Sequence, residues 1–109
     1  MNKWESKEKK DQKDFNATPT PASGARWFAP GDSKNQDFLI ESKDTTKKSF
    51  SLSRNVWVKL WRQALGSKNS KGLPRLPILS IKFEKTFTEK EIEVVVLDKE
   101  DFLYLMEKI

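Results

Sequence analysis

Neither cysteine nor histidine occurs in the 109 residues of this chain. The absence of cysteine excludes a disulfide framework and any thiolate zinc site. The absence of histidine removes the commonest general base, the commonest zinc ligand and the Ser-His-Asp triad. Catalysis in such a chain has to rest on carboxylates, lysine and hydroxyls, with or without a metal. Oxygen ligands favour Mg²⁺ or Mn²⁺ over zinc. Long apolar runs are missing too: none approaches the ~20 residues that cross a bilayer. The opening segment, MNKWESKEKK, has no apolar stretch of the kind a secretory signal needs.

What the chain does have is charge and aromatic surface. Lys and Arg number 21 against 16 Asp and Glu, a formal charge of +5, and the pI is near 9.5. That excess favours an anionic partner, either nucleic acid or an acidic membrane surface. Four Trp and seven Phe are ample for a compact core and argue against global disorder. The length suits one domain, which at this size buries about two-thirds of its unfolded surface. No internal repeat is visible.

Residues 2–15 are polar, with Trp4 and Phe15 the only large apolar side chains, and read as a short helix ending near Phe15. Thr18-Pro19-Thr20-Pro21 cannot continue it, because proline lacks a donor and biases its predecessor to extended geometry. Ser23-Gly24 marks a turn, residues 25–29 a short strand, and Pro30-Gly31 a second turn into Asp32. Residues 36–43 read as a strand centred on Phe38-Leu39-Ile40, with a polar loop over 44–48. Ser53 is a candidate N-cap. Val56, Trp57, Leu60, Trp61, Ala64 and Leu65 then recur at helical spacing, and Gly66 stands at the helix C′ position. After a basic loop over 67–72, residues 77–83 and 92–97 are strands joined by a charged segment. Asp98 or Lys99 opens a final helix. The order is that of an α/β fold with one mixed sheet.

Glu41 and Lys43 are two apart on a strand, so alternation puts them on one face and Ser42 on the other. Asp32 sits just upstream, where a hairpin brings it beside Glu41. Two converging carboxylates repel, and a divalent cation relieves the repulsion. Such a cation activates water and stabilises charge on a phosphoryl oxygen. A neighbouring lysine orients the water or neutralises the developing charge. The competing reading is a surface ion pair, since acid-x-Lys triplets arise easily in a chain with 34% charged residues. Glu5-Ser6-Lys7, Glu8-Lys9-Lys10 and Asp11-Gln12-Lys13 are such triplets, and their polar helix reads as solvated surface. Only Glu41-Ser42-Lys43 directly follows an apolar strand centre with an aspartate at a turn upstream.

In order, Ser23-Gly24-Ala25, Gly31-Asp32 and Phe38-Leu39-Ile40-Glu41-Ser42-Lys43 resemble the signature of the PD-(D/E)XK nucleases. More narrowly, they resemble small phage-encoded endonucleases related to the archaeal Holliday junction resolvases. The likeness runs on through Thr45 or Thr46, Ser49-Phe50-Ser51-Leu52, Trp57, Trp61, Ala64 and PRLPILSIKF, about residues 8–83, and into the final helix. It implies a restriction-endonuclease-like core, a central mixed β-sheet flanked by helices. It implies a single nuclease domain over 1–109, with 1–22 a polar N-terminal helix and Pro-containing linker and 23–109 the catalytic core. Asp32 and Glu41 would then be ligands of Mg²⁺, with Mn²⁺ as substitute, and Lys43 the catalytic lysine. The family adds a carboxylate from the first helix as a further ligand and catalytic member. Glu8 stands fifteen residues before the Ser-Gly turn and matches that spacing, with Glu5 and Asp11 as rivals one helical turn to either side. Many relatives carry Cys at Ser42, a position that faces away from the metal. Asp37 shares the parity of Glu41 and is a candidate supporting carboxylate.

Ser23 and Gly24 are candidates for close approach to a DNA phosphate, and Arg26 for a backbone contact beside them. Trp27 reads as a packing residue. Lys47 with Lys48, and Lys68 with Lys71 and Arg75, form two basic loop clusters able to neutralise phosphates; the alternative for each is a solvated loop. Trp57 and Trp61 are expected to pack on the sheet. Family members are commonly dimers, and a two-fold homodimer matches the symmetry of a four-way junction. Residues 93–97 or the final helix are the expected interface. The expected function is Mg²⁺-dependent cleavage of branched DNA, most specifically Holliday junction resolution, in the cytoplasm of a phage-infected, bacterial or archaeal cell. The alternatives are a repair or restriction-like endonuclease on other DNA structures and a non-catalytic DNA-binding protein of the same fold.

Overall fold

The computed structural model describes residues 3–19 and 32–109. Ser23, Gly24, Arg26, Trp27 and the strand expected over 25–29 lie outside the described residues. The elements run α1 Lys3–Asp14, β1 Thr18–Pro19, β2 Asp32–Lys34, β3 Phe38–Thr45, α2 Arg54–Leu65, β4 Leu76–Phe83, β5 Ile92–Leu97 and α3 Lys99–Met106. The strands form one mixed sheet in the order β1-β2-β3-β4-β5. Only β3 and β4 pair in parallel. A parallel pair needs a crossover, and α2 supplies it. The architecture is α/β, a five-stranded mixed sheet flanked by helices.

Local chemistry sets the boundaries. Asn35 Oδ1 accepts from the backbone N–H of Asp37 (2.9 Å) and of Phe38 (2.7 Å). This side-chain-to-backbone turn delays β3 to Phe38, two residues after the expected start. The strand then runs past Lys43 because β4 pairs with it as far as Thr45 opposite Phe83. Thr18-Pro19, read as linker, is the edge strand of the sheet, where proline is tolerated because no further strand needs its missing donor. Ser53 caps α2 by accepting from Val56 N–H at 3.2 Å. Gly66 ends that helix at φ −81°, without the left-handed turn that its position allowed.

The α2 side of the sheet is apolar. Leu39, Leu79 and Ile81 meet Leu60 and Ala64 of α2, with Phe50, Trp57, Phe83 and Val96 packed around them. Burying a leucine or isoleucine side chain contributes about 1.5–3 kcal/mol. Trp61 corrects the expectation that both helix tryptophans pack on the sheet. It stays 45% exposed, because it lies one residue, about 100° of helix, around from Leu60.

The α1 side corrects a larger expectation. The helix read as solvated surface is docked, with Lys7, Glu8 and Asp11 buried. Lys7, 1% exposed, donates to Asp11 Oδ1 (2.9 Å), Ser80 Oγ (2.8 Å) and Glu93 Oε1 (2.9 Å), using all three ammonium hydrogens. Asp11 also accepts from Ser42 Oγ at 2.5 Å and Ser80 Oγ at 3.1 Å. Lys10 closes the far side on Glu93. The cluster ties α1 to β3, β4 and β5 at once. Buried charge is tolerated when it is paired and hydrogen-bonded in this way. Burial raises the Glu93 carboxyl, but hydrogen bonds from Lys10 and Lys7 outweigh it and hold the group below its ordinary value.

The opposite margin is bare. Residues of α3 are nowhere buried, leaving Phe102, Leu103, Tyr104 and Met106 about half exposed. On the neighbouring strand β5, Ile92, Val94 and Val95 are exposed too. No helix of the described residues is long and apolar enough to cross a membrane.

Candidate active site

The hairpin of β2 and β3 places Asp32 directly opposite Glu41, with Ser33 opposite Ile40 and Lys34 opposite Leu39. Directly opposed residues in an antiparallel pair have Cα atoms about 4.5–5.5 Å apart. Asp32 therefore opens a strand of its own, where the sequence placed it at a turn. Glu41 and Lys43 share the α2 face of β3, and Lys43 Nζ lies 3.1 Å from Glu41 Oε1. Glu41 is 12% and Lys43 41% exposed, so the acid is set inward and the lysine reaches out over it.

Both line a cleft of about 200 Å³ between β3 and α2. Leu79 continues the lining on the sheet side, and Trp57, Lys59 and Gln63 face it from the helix. Lys59 and Gln63 are absent from the residues singled out in the sequence. Their signal was there to read: Val56, Lys59, Leu60 and Gln63 recur at i, i+3, i+4 and i+7, so two polar residues stand within an apolar helix stripe.

Ser42 faces the other way, as alternation requires, and is buried against Asp11. Of the three first-helix candidates, Asp11 belongs to that other layer. Glu8 is buried on α1. The Asp11 carboxylate is taken up by Lys7, Ser42 and Ser80, and the Glu5 side chain lies outside what is described. Among the described residues, no three acidic side chains converge as a metal-ligand group. Asp37 is exposed in the turn before β3, at hollows away from the cleft.

The two basic clusters lie at opposite ends of β3. Lys47 and Lys48 follow its last residue and are exposed. Lys68 and Lys71, also exposed, belong to the loop entering β4, whose first residue pairs with Phe38 at the start of β3. Arg75 differs from its neighbours. Its Nε donates to the Asn35 carbonyl at 2.6 Å, and its Nη1 to the Lys68 carbonyl at 2.6 Å and Ser67 Oγ at 3.1 Å. It clasps this loop to the β2–β3 turn. Comparison of the chain with protein-family models, with curated proteins and with solved structures finds no match.

Proposed function

We propose that this protein is a metal-dependent endodeoxyribonuclease acting on branched DNA, with Holliday junctions as the substrate. The observation that carries the reading is the register pairing Asp32 with Glu41, with Lys43 on Glu41's face and 3.1 Å from its carboxylate. The PD-(D/E)XK resemblance expects that trio, and the order of strands and crossover helix accommodates a restriction-endonuclease-like core. Asp32 and Glu41 would hold Mg²⁺, or Mn²⁺ in its place, since the set offers carboxylate oxygen and no imidazole or thiolate. The bound cation would supply Lewis acidity and a water of lowered pKa. Lys43 sets positive charge where charge develops on the phosphoryl group, an electrostatic role. Glu8 is the further ligand and catalytic member that the resemblance implies from the first helix.

The basic excess and the loop lysines support a phosphate-backbone partner read by shape. The half-exposed apolar residues of α3 and the edge of β5 support a two-fold dimer through that margin. A second reading, a DNA-binding protein of this fold that does not cut, draws on the Glu41–Lys43 ion pair, which satisfies the acid without a metal ion. A repair or restriction-like endonuclease would use the same trio on other DNA.

The test is incubation of labelled four-way junction, flap and linear duplex with Mg²⁺, Ca²⁺ or EDTA. Asp32→Asn, Glu41→Gln and Lys43→Ala should each slow cleavage on the order of a hundred- to a thousandfold while junction binding persists. Normal cutting by all three variants would show the site to be wrong. Binding without cutting by the wild type selects the second reading. Paired symmetric nicks select junction resolution over general cleavage.

A further inference from the structure

We infer that the cleft between β3 and α2 seats a single phosphodiester group and that Lys59 is its second cation, a positioning residue that the sequence motif does not contain. The reactive role of that phosphodiester rests on the nuclease reading above; the anion site itself does not. Lys43 is already held by Glu41, and Lys7, Lys10 and Lys82 are each ion-paired. Lys59 lines the same cleft as Glu41 and Lys43 and, among the described residues, forms no ion pair.

The helix that carries Lys59 points the same way. α2 contains Arg54, Lys59 and Arg62 and no acidic residue, and its first turn has none either. A helix charged for its own stability places acids in the first turn and opposite charges at i,i+4. α2 does neither, and only Arg62 stands in the last turn, where the helix favours a cation, so the charge of Lys59 is left for something outside the helix. Arg62 stands one turn from Lys59, where it would face the next phosphate of the same strand.

The cleft holds about 200 Å³, below the roughly 300–1,000 Å³ of pockets that enclose a small ligand. A phosphodiester fits that space, and Lys43, Lys59 and Gln63 in its lining offer donors to the phosphate oxygens.

The experiment uses the full chain, a labelled four-way DNA junction, and a salt titration of binding in Ca²⁺ beside cleavage kinetics in Mg²⁺. Lys59→Ala should reduce the slope of log affinity against log salt by about 0.9, the value of one phosphate contact. It should raise KM about tenfold, the worth of one charge-assisted hydrogen bond, with the smaller change in kcat. Lys59→Arg should restore both, and the melting temperature should not move, because the side chain is exposed. Lys9→Ala, on the exposed side of α1, removes the same charge far from the cleft and should leave the slope unchanged. An unchanged slope and KM in Lys59→Ala, with a wild type that cuts, overturns this site and leaves the nuclease reading standing. An equal slope loss in Lys9→Ala also overturns it, since net charge alone would then be at work. A wild type that never cuts, combined with the Lys59-specific slope loss, overturns the nuclease reading and keeps the phosphate site.

Discussion

On the α2 side of β3, Leu39 meets Leu60, Ala64 and Leu79. On the α1 side of the same strand, Ser42 meets Asp11 and, through it, Lys7, Ser80 and Glu93. Successive residues of one strand thus belong to two kinds of interior. Apolar burial is non-directional and scales with area, so the first face tolerates changes of shape. The second face adds to buried Ile40 and Ile78 a set of named partners at hydrogen-bond distance, and removing one partner strands the charge of another. Glu41 lies on the first face and Ser42 on the second. The candidate chemistry is therefore set against the apolar layer, and the charged layer secures the N-terminal helix from behind.

The difference can be broken at its strongest point by Lys7→Met. Asp11 would be left buried without its cation, while Glu93, partly exposed, would keep Lys10, at a cost of about 3–5 kcal/mol, read by urea denaturation. Adding Asp11→Leu to that variant should recover most of the loss, because an apolar replacement of a buried ionic group is often close to neutral. A single variant as stable as the wild type would mean that charge does not hold this face. Leu79→Ala attacks the other face and should cost about 2–5 kcal/mol through lost transfer energy and a cavity, with no charged partner left stranded by it.

Ser42→Ala is the finer test. It removes one donor to the buried Asp11 carboxylate and should cost about 1–3 kcal/mol. Cleavage measured below the transition should be unchanged, the reverse of the adjacent Glu41→Gln, which should lose cutting and keep its melting temperature. Loss of cutting by both variants would dissolve the division between faces.

Acidity makes the smallest change. The Glu93 carboxyl is held below its ordinary value of 4.5. The unfolded chain therefore takes up its proton first, and the stability from this group is present above pH 4.5 and lost as the pH falls through the folded value. Lys10, raised chiefly by its hydrogen bond to Glu93, acts in the opposite direction. Its contribution is present below pH 10.5 and lost as the pH rises through the folded value. Denaturant midpoints followed across pH should decline at both ends in the wild type, and the acid decline should be shallower in Glu93→Gln.

Much of the fold was legible. The apolar periodicity of Val56, Trp57, Leu60 and Ala64, the Ser53 cap and the β-branched run of residues 92–97 each carry a local signal, and α2, β5 and α3 stand where those signals put them. The parity of Glu41 and Lys43 was equally local. The short strands β1 and β2 were not legible, because Thr18-Pro19 and Asp32–Lys34 have no apolar alternation and exist only by pairing with neighbours. The break that Lys59 makes in the apolar helix stripe was legible, but what it faces was not, because that depends on the strand opposite.

The sequence by itself determined the chemistry available to this protein. A chain without histidine or cysteine leaves any catalysis to carboxylates, lysine and hydroxyls, with or without a hard cation, and the parity of Glu41 and Lys43 sets both on one strand face. Only the tertiary structure decided who stands beside whom. Strand register set Asp32 opposite Glu41. Packing turned an apparently solvated helix into a docked one, because an ammonium group can enter an interior when three acceptors, from α1, β4 and β5, converge on it. Such convergence is a property of space and leaves no periodicity in the chain.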